Sequence, residues 1–302
     1  MKKIGLVTIT YNSAQVIEPF IQSVLAQTHT RFVLYIIDNI SSDNTLELLK
    51  KYNDERMVII ANITNAGVAA GNNQGIKQAL KDNCDEICII NNDVEFENAL
   101  LEKLSLQLAE LNCSLIAPKM MYHPEKHLIW WAGTKFKESE SFMTNHIGIQ
   151  EEDKGQYDKI EKMDYAPTCC VLLKKEVIDD IGLMDEKYFA YFDDTDFFYR
   201  IYKNRKHHLY YYPFVQFYHK VGGLVKSRTG SATKFKFGNF YIHLITRNHV
   251  YYLRKQHTIM AWCNIIYLFF RMNIRFLFSG KYNLNFSTFW LLQKSFFEGL
   301  LM

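Results

Sequence analysis

The sequence predicts an α/β protein with a central mixed, mostly parallel sheet and a helical extension at its C-terminal end. Three observations lead there. Short apolar, β-branched runs alternate with helix-like stretches through the first third of the chain. The ends of those runs carry polar clusters, one after another. From about Lys234 onward, aromatic and aliphatic residues are mixed with lysines and arginines.

Taken in order, Lys3–Thr10, Phe32–Ile37, Met57–Ile60 and Ile87–Ile90 read as buried parallel strands. Ala14–Gln27, Asp43–Tyr52 and Val68–Lys81 read as the helices between them, with Ser41, Ser42 or Asp43 available as a cap for the second. Beyond Leu111 the pattern loosens. Leu115–Met121 and Leu128–Ala132 look strand-like, Thr134–Lys162 is polar like a long surface loop, and Val171–Ile181 and Asp194–Lys203 look helical. Leu209–Tyr212 is a short aromatic strand.

The C-terminal stretch places Arg247, Arg254, Lys255, Arg271, Arg275, Lys281 and Lys294 among apolar residues. Helices of that kind suit the surface of an anionic membrane, or equally a cap packed on the domain with a solvated basic face. No apolar run reaches the roughly 20 residues of a spanning helix; the best, Ile259–Phe270, is short and contains Asn264.

Composition narrows the function classes. With 302 residues, 48% of them hydrophobic, the chain fills one large domain or two small ones. A formal charge of +3, from 35 basic and 32 acidic residues, is too balanced for a nucleic-acid binder, so an anionic partner has to be held locally. The six cysteines show neither a CxxC pair nor metal-ligand spacing, and read as reduced structural thiols. Met1-Lys2-Lys3 runs straight into a strand, so no secretory signal is expected and the cytoplasm is the expected compartment.

In parallel sheets ligands bind beyond the carboxyl ends of the strands. There the chain has Thr10-Tyr11-Asn12, Asp38-Asn39, Asn62–Gly67 and Asn91-Asn92-Asp93. One such cluster alone is ordinarily a turn. Four in order point to a ligand. Gly67, Gly71 and Gly75 recur every four residues and put small residues on one helical face, which matches neither GxGxxG nor a phosphate loop ending in GK[ST]. A nicotinamide enzyme and a P-loop NTPase are disfavoured.

The stretches "VTITYN" (Val7–Asn12), "IIDNISSDNTLELL" (Ile36–Leu49), "NITNAGVAAGNNQGI" (Asn62–Ile76), "NNDVE" (Asn91–Glu95) and "YFDDTDFFYRI" (Tyr191–Ile201) together closely resemble family 2 glycosyltransferases with a GT-A fold. With "GQYD" (Gly155–Asp158), the chain looks like their rhamnosyltransferase-like bacterial branch. The match runs from about Ile4 to the Gly-Gly after His219, with a looser one at Thr246–Asn248.

The resemblance implies a Rossmann-like nucleotide-diphospho-sugar transferase over residues 1–233, with a donor half to about 110 and an acceptor half beyond it. A helical, membrane-associating region, 234–302, follows. Donor binding falls to Thr8, Tyr11, Asp38, Asn65, Asn72, Asn91 and Asn92. Asp93, the last residue of the family's Asp-x-Asp, and His219 would bind Mn²⁺ or Mg²⁺; Asn91 stands in place of the first aspartate. Hard cations take oxygen ligands, and one carboxylate with phosphates and waters can suffice. Asp194 matches the family's base, with Asp193, Asp196 and Arg200 in support, and Trp130 and Trp131 lie in the acceptor half. Bland alternatives stand beside these: Asp38 as a helix cap, Thr8, Tyr11 and His219 as packed side chains, "DDTD" as an acidic first helical turn, the tryptophans as core and rim.

The implied reaction is inverting transfer of one sugar from dTDP-rhamnose or a UDP-sugar to a glycan on a polyprenyl diphosphate, at the inner face of the plasma membrane. The rival is a catalytically weak sugar-nucleotide-binding scaffold in a polysaccharide assembly complex, suggested by Asn91. A nucleotidyltransferase would carry a glycine-rich basic loop after Tyr11, and none is there.

Overall fold

The computed structural model describes residues 1–220, 238–280 and 282–302. The Gly-Gly after His219, Lys234 and Lys281 lie outside the described residues.

The first four strands, β1 (Ile4–Thr10), β2 (Phe32–Asp38), β3 (Met57–Ala61) and β4 (Glu86–Ile90), are parallel in the order β3-β2-β1-β4. β1, β2 and β4 are almost wholly apolar because helices cover the sheet there, while β3 is a half-exposed edge strand. The register sets Thr10 opposite Asp38 and Asp38 opposite Ala61, so the polar strand ends line up along one edge.

Beyond β4 the sheet turns mixed. β5 (Val94–Phe96) leaves it, while β6 (Leu115–Pro118) rejoins. β7 (Met120–Tyr122) and β8 (Ile129–Trp131) join β5 and, later, β12 (Phe217–His219) in a second small sheet ordered β5-β12-β7-β8. β9 (Glu161–Met163), β10 (Cys170–Lys174) and β11 (Leu209–Tyr212) complete the large sheet, which continues from β4 as β10-β6-β11-β9.

The helices α1 (Ile17–Leu25), α2 (Thr45–Leu49) and α3 (Gly67–Lys81) fall where periodicity put them, the first two shortened at both ends. α3 lies close on β1 because of its glycines. A Cβ at Gly75 would sit 2.3 Å from a methyl of Val7, and one at Gly71 would sit 3.1 Å from Ile9. α4 (Leu100–Glu110), α5 (Lys175–Ile181) and α6 (Asp193–Asn204) follow, then three C-terminal helices, Asn239–Lys255, Ile259–Phe278 and Phe286–Leu301.

Three expectations are corrected. Val171–Lys174 is not helical but belongs to β10, antiparallel to both β4 and β6. Val171–Leu173 are buried and apolar, and a short continuous apolar run does not distinguish strand from helix. Leu115–Met121 is two strands in two sheets, broken at Lys119, whose ammonium pairs with Asp153 at 2.5 Å and Asp158 at 2.7 Å. The 134–162 segment is no simple surface loop: Phe136, Ser141 and Phe142 are buried in it. The first C-terminal helix holds that segment, Tyr252 donating to the Phe142 carbonyl and Gln256 to that of Ser141, each at 2.9 Å.

The Asn239–Lys255 helix also places Tyr251 and Tyr252 in the main core, whereas the last two helices share a separate apolar cluster with Ile242, Val250 and Leu253.

Candidate active site

The ends of β1 and β2 are tied to each other. Asp38 is fully buried; its carboxylate accepts from the Thr10 hydroxyl at 2.7 Å and from the Ser41 amide at 2.9 Å and hydroxyl at 2.5 Å. Asn12, at φ 53°, accepts from the Ser42 amide at 2.7 Å. Thr8 is buried with its hydroxyl unbonded, while Tyr11 is 40% exposed at the edge.

The third polar end is pinned in the same way. Asn39 donates to the Gly67 carbonyl at 3.0 Å and accepts from Asn62 at 2.8 Å, fixing the start of α3. Asn65 accepts from the Gly67 amide at 2.9 Å, a local turn. Asn72 is buried beside the Met184 sulfur, and Asn73 next to it bonds both backbone groups of Met184.

Asn91-Asn92-Asp93 spans the gap where the chain leaves β4 and enters β5. Asn92 is buried and donates to the Ile9 carbonyl and the Ser13 hydroxyl, locking the turn onto β1. Asn91 bonds Cys169 through its amide and side chain. Asp93 meets His219 from β12, with 3.4 Å between Oδ1 and Nε2. Burial alone would depress the imidazole, but Cys169 and Asp93 beside it outweigh that and raise its proton affinity. Among the described residues no group of three or more His, Cys, Asp or Glu side chains is arranged to hold a metal. Asp93 and His219 are the predicted ligand pair brought together.

From His219 a row of rings leads to the acidic turn. Trp130 meets His219 edge-on with centroids 4.5 Å apart, and His146 likewise at 5.0 Å. His146 stacks toward Tyr165 at 6.3 Å, and burial keeps that imidazole below its usual range. The Tyr165 hydroxyl donates to Asp194 at 2.7 Å. The structure therefore connects Asp93 to Asp194 through Trp130, His146 and Tyr165. Trp131 points elsewhere: it is fully buried, donates to Thr134 at 3.0 Å and packs on Tyr211.

Asp193, Asp194 and Asp196 open α6, where the helix dipole favours negative charge. Asp193 is buried, and burial together with the Asp194 charge pushes its carboxyl far above the usual range. Burial also raises Asp194, opposed by the Tyr165 and Thr195 hydrogen bonds. Asp196 is buried and structural, bonded by Arg200 at 2.9 Å, Lys255 at 2.6 Å and Tyr188 at 3.2 Å.

The turn before α6 is strained. Phe189, Tyr191 and Phe192 all have positive φ, near 62°, 67° and 68°, a region bulky L-residues seldom enter. Asn248, fully buried on the first C-terminal helix, donates through Nδ2 to the carbonyls of Tyr188, Ala190 and Tyr191 at 2.8–2.9 Å. Arg247 adds bonds to Lys187 and Tyr188, both at 3.1 Å. Strain of this kind persists only where surroundings over-determine it. Asn248 supplies that restraint.

Sequence reasoning missed Tyr165, His146 and Lys255 as site residues. Only the looser match at Thr246–Asn248 hinted at Asn248.

Residues 6–182 match the model of glycosyl transferase family 2. The low-salt glycan biosynthesis hexosyltransferase Agl10 of Haloferax volcanii is 25% identical over 169 residues, 55% of this chain and 52% of that one. The Escherichia coli UDP-Glc:alpha-D-GlcNAc-diphosphoundecaprenol beta-1,3-glucosyltransferase WfgD is 32% identical over 76 residues, 25% of this chain and 30% of that one. The chain thus spans about half of the first relative and less of the second. Among solved structures, S. aureus TarS 1-349 aligns with a TM-score of 0.58 at 16% identity, covering 98% of this chain and 80% of that one. Its complex with UDP aligns at 0.56 and 18% identity, over 92% and 72% of the two chains. These likenesses show the mixed α/β, GT-A-like fold. With its family motifs at the ends of the parallel strands and more than half its length matched, the chain belongs to glycosyl transferase family 2.

Proposed function

We propose that this family 2 enzyme transfers one sugar, with inversion, from a nucleoside diphosphate to a lipid-linked glycan on the cytoplasmic side of the membrane. The observation that carries the reading is the Asp194 carboxylate, held by Tyr165 at 2.7 Å in a ring row that reaches Asp93 and His219. A base for the acceptor proton and ligands for the diphosphate side are what such a reaction needs at two ends of one site.

In this reading an Asp194 oxygen takes the acceptor hydroxyl proton as the acceptor's own oxygen attacks the anomeric carbon. The bond to the diphosphate breaks on the opposite face and the nucleoside diphosphate leaves with its electron pair. Burial raises Asp194 above the ordinary carboxylate range, which makes it a better proton acceptor. Trp130, half-buried, offers an apolar edge to the acceptor sugar.

Asp93 and His219 are an oxygen and nitrogen donor pair that fits a divalent cation, and the imidazole favours Mn²⁺ over Mg²⁺. Bound there, a cation would offset charge on the leaving diphosphate.

The UDP complex of the fold neighbour and the UDP-Glc named for the E. coli relative favour a UDP-sugar. The sequence branch favours dTDP-rhamnose. Thermal shifts with UDP and dTDP, each with and without Mn²⁺, separate the two, since a ligand of the native state raises its melting temperature. Asp194→Asn should lower turnover about 10²–10⁴-fold and leave the nucleotide shift intact. Undiminished turnover would remove Asp194 from the role. Nucleotide binding without turnover, across both donors and lipid-linked acceptors, would move the chain to the scaffold reading that Asn91 raises.

A further inference from the structure

The Ile259–Phe278 helix buries one side and leaves the other bare. Ala261, Ile265, Met272 and Phe276 face the apolar cluster shared with Leu292 and Phe296. Opposite them, Trp262, Ile266, Phe270, Ile274 and Leu277 form a stripe at helical spacing, with Ile266 59% and Phe270 61% exposed. Single exposed apolar residues need no explanation, but a continuous stripe of this size marks a contact surface.

Charge decides the occupant. From Phe197 to Met302 the chain carries one carboxylate side chain, Glu298, while lysines and arginines continue throughout. Glu298 itself lies by His243 at 3.6 Å and Lys294 at 3.7 Å. Arg271 is exposed beside the stripe, 6.0 Å from the Tyr267 ring. An apolar stripe with arginine at its margin and no acid on its helix complements an anionic lipid surface. A second copy docking through the same stripe would bring like-charged arginines together across the two-fold axis. Among the described residues no helix is long and apolar enough to cross a membrane. The helix would therefore lie in the plane of the interface.

We infer that the exposed face of the Ile259–Phe278 helix docks this chain on an anionic phospholipid bilayer. The inference needs no step of glycosyl transfer, so its test is read without donor or acceptor. The full chain is sedimented with phosphatidylcholine vesicles with and without phosphatidylglycerol. Binding to the anionic vesicles should fall steeply with salt. It should be lost in Ile266→Asp/Phe270→Asp and weakened about tenfold or more in Arg271→Glu, with melting temperatures unchanged because these side chains are exposed. Equal binding by wild type and the double variant overturns the inference, as does no binding by wild type. If light scattering then shows a dimer that the double variant splits, the stripe belongs to a second copy.

Discussion

The Tyr165 hydroxyl donates to Oδ2 of Asp194 at 2.7 Å, across 29 positions of sequence, and so holds negative charge on a carboxylate that burial works to neutralise. Tyr165→Phe removes the donor and leaves the ring. A hydrogen bond to a charged group is worth about 1.5–3 kcal/mol, which is about one to two pKa units. In the proposed role Asp194 must be ionised to accept a proton, so activity should be lost as pH falls through its pKa. The acid limb of kcat/KM should therefore move up by about one unit or more in Tyr165→Phe. An unchanged pH profile would show that the bond does not tune the carboxylate.

Asp193 supplies the matching stability test. Its folded pKa lies above its unfolded value because burial and the Asp194 charge disfavour ionisation. Folding then takes up a proton, and stability declines as pH rises from the ordinary carboxylate range toward the raised pKa. Asp193→Asn, already uncharged, should flatten that decline. Its melting temperature should exceed that of the parent by about 2 °C or more at the upper end of the window and converge with it in acid. Parallel pH curves would overturn the argument.

Asn248→Ala strips one side chain from three carbonyls. The Tyr188 carbonyl keeps its bonds from Arg247 and the Ala190 amide, but those of Ala190 and Tyr191 lose this donor, and the positive-φ residues Phe189, Tyr191 and Phe192 would be free to relax. Turnover should drop more than about tenfold, since small misplacement of a reacting group is costly, while the UDP or dTDP thermal shift stays. Full activity with lowered stability alone would make Asn248 a structural residue only.

Gly75→Ala tests how closely α3 lies on β1. The added Cβ would sit 2.3 Å from a Val7 methyl, so helix or strand must move. Overpacking of this kind costs about 1–3 kcal/mol. The urea midpoint should fall with the m-value unchanged; an unaltered midpoint would mean the contact relaxes freely.

The parallel half was legible because each of its strands is a continuous apolar run ending in polar residues. Thr10, Asp38, Asn62 and Asn91 mark those ends in the sequence, and the fold lines them up along one sheet edge in the order Asn62, Asp38, Thr10, Asn91. The second sheet was not. β5, β7, β8 and β12 are three residues long, too short for any period to show, and β7 is separated from β6 by the single Lys119. The site followed the same division. Asp93 and Asp194 sit within motifs, whereas Tyr165 and His146 join them only through tertiary packing of a segment that looked like a polar loop. Asp196 and Arg200, which pair four positions apart on α6, both lie in the "YFDDTDFFYRI" stretch; Lys255, which joins them, comes from 59 residues beyond Asp196.

The bond from Asn248 to the turn before α6 also bears on how the protein is made. Synthesis delivers Asp194 well before Asn248, and until the first C-terminal helix docks nothing from that helix restrains the carbonyls of Tyr188, Ala190 and Tyr191. A nascent chain can complete its parallel strands on the ribosome while the acidic turn is still unset. If the acidic turn serves the proposed transfer, competence for chemistry comes as a late event of biosynthesis, because the helix that sets the turn is made after it.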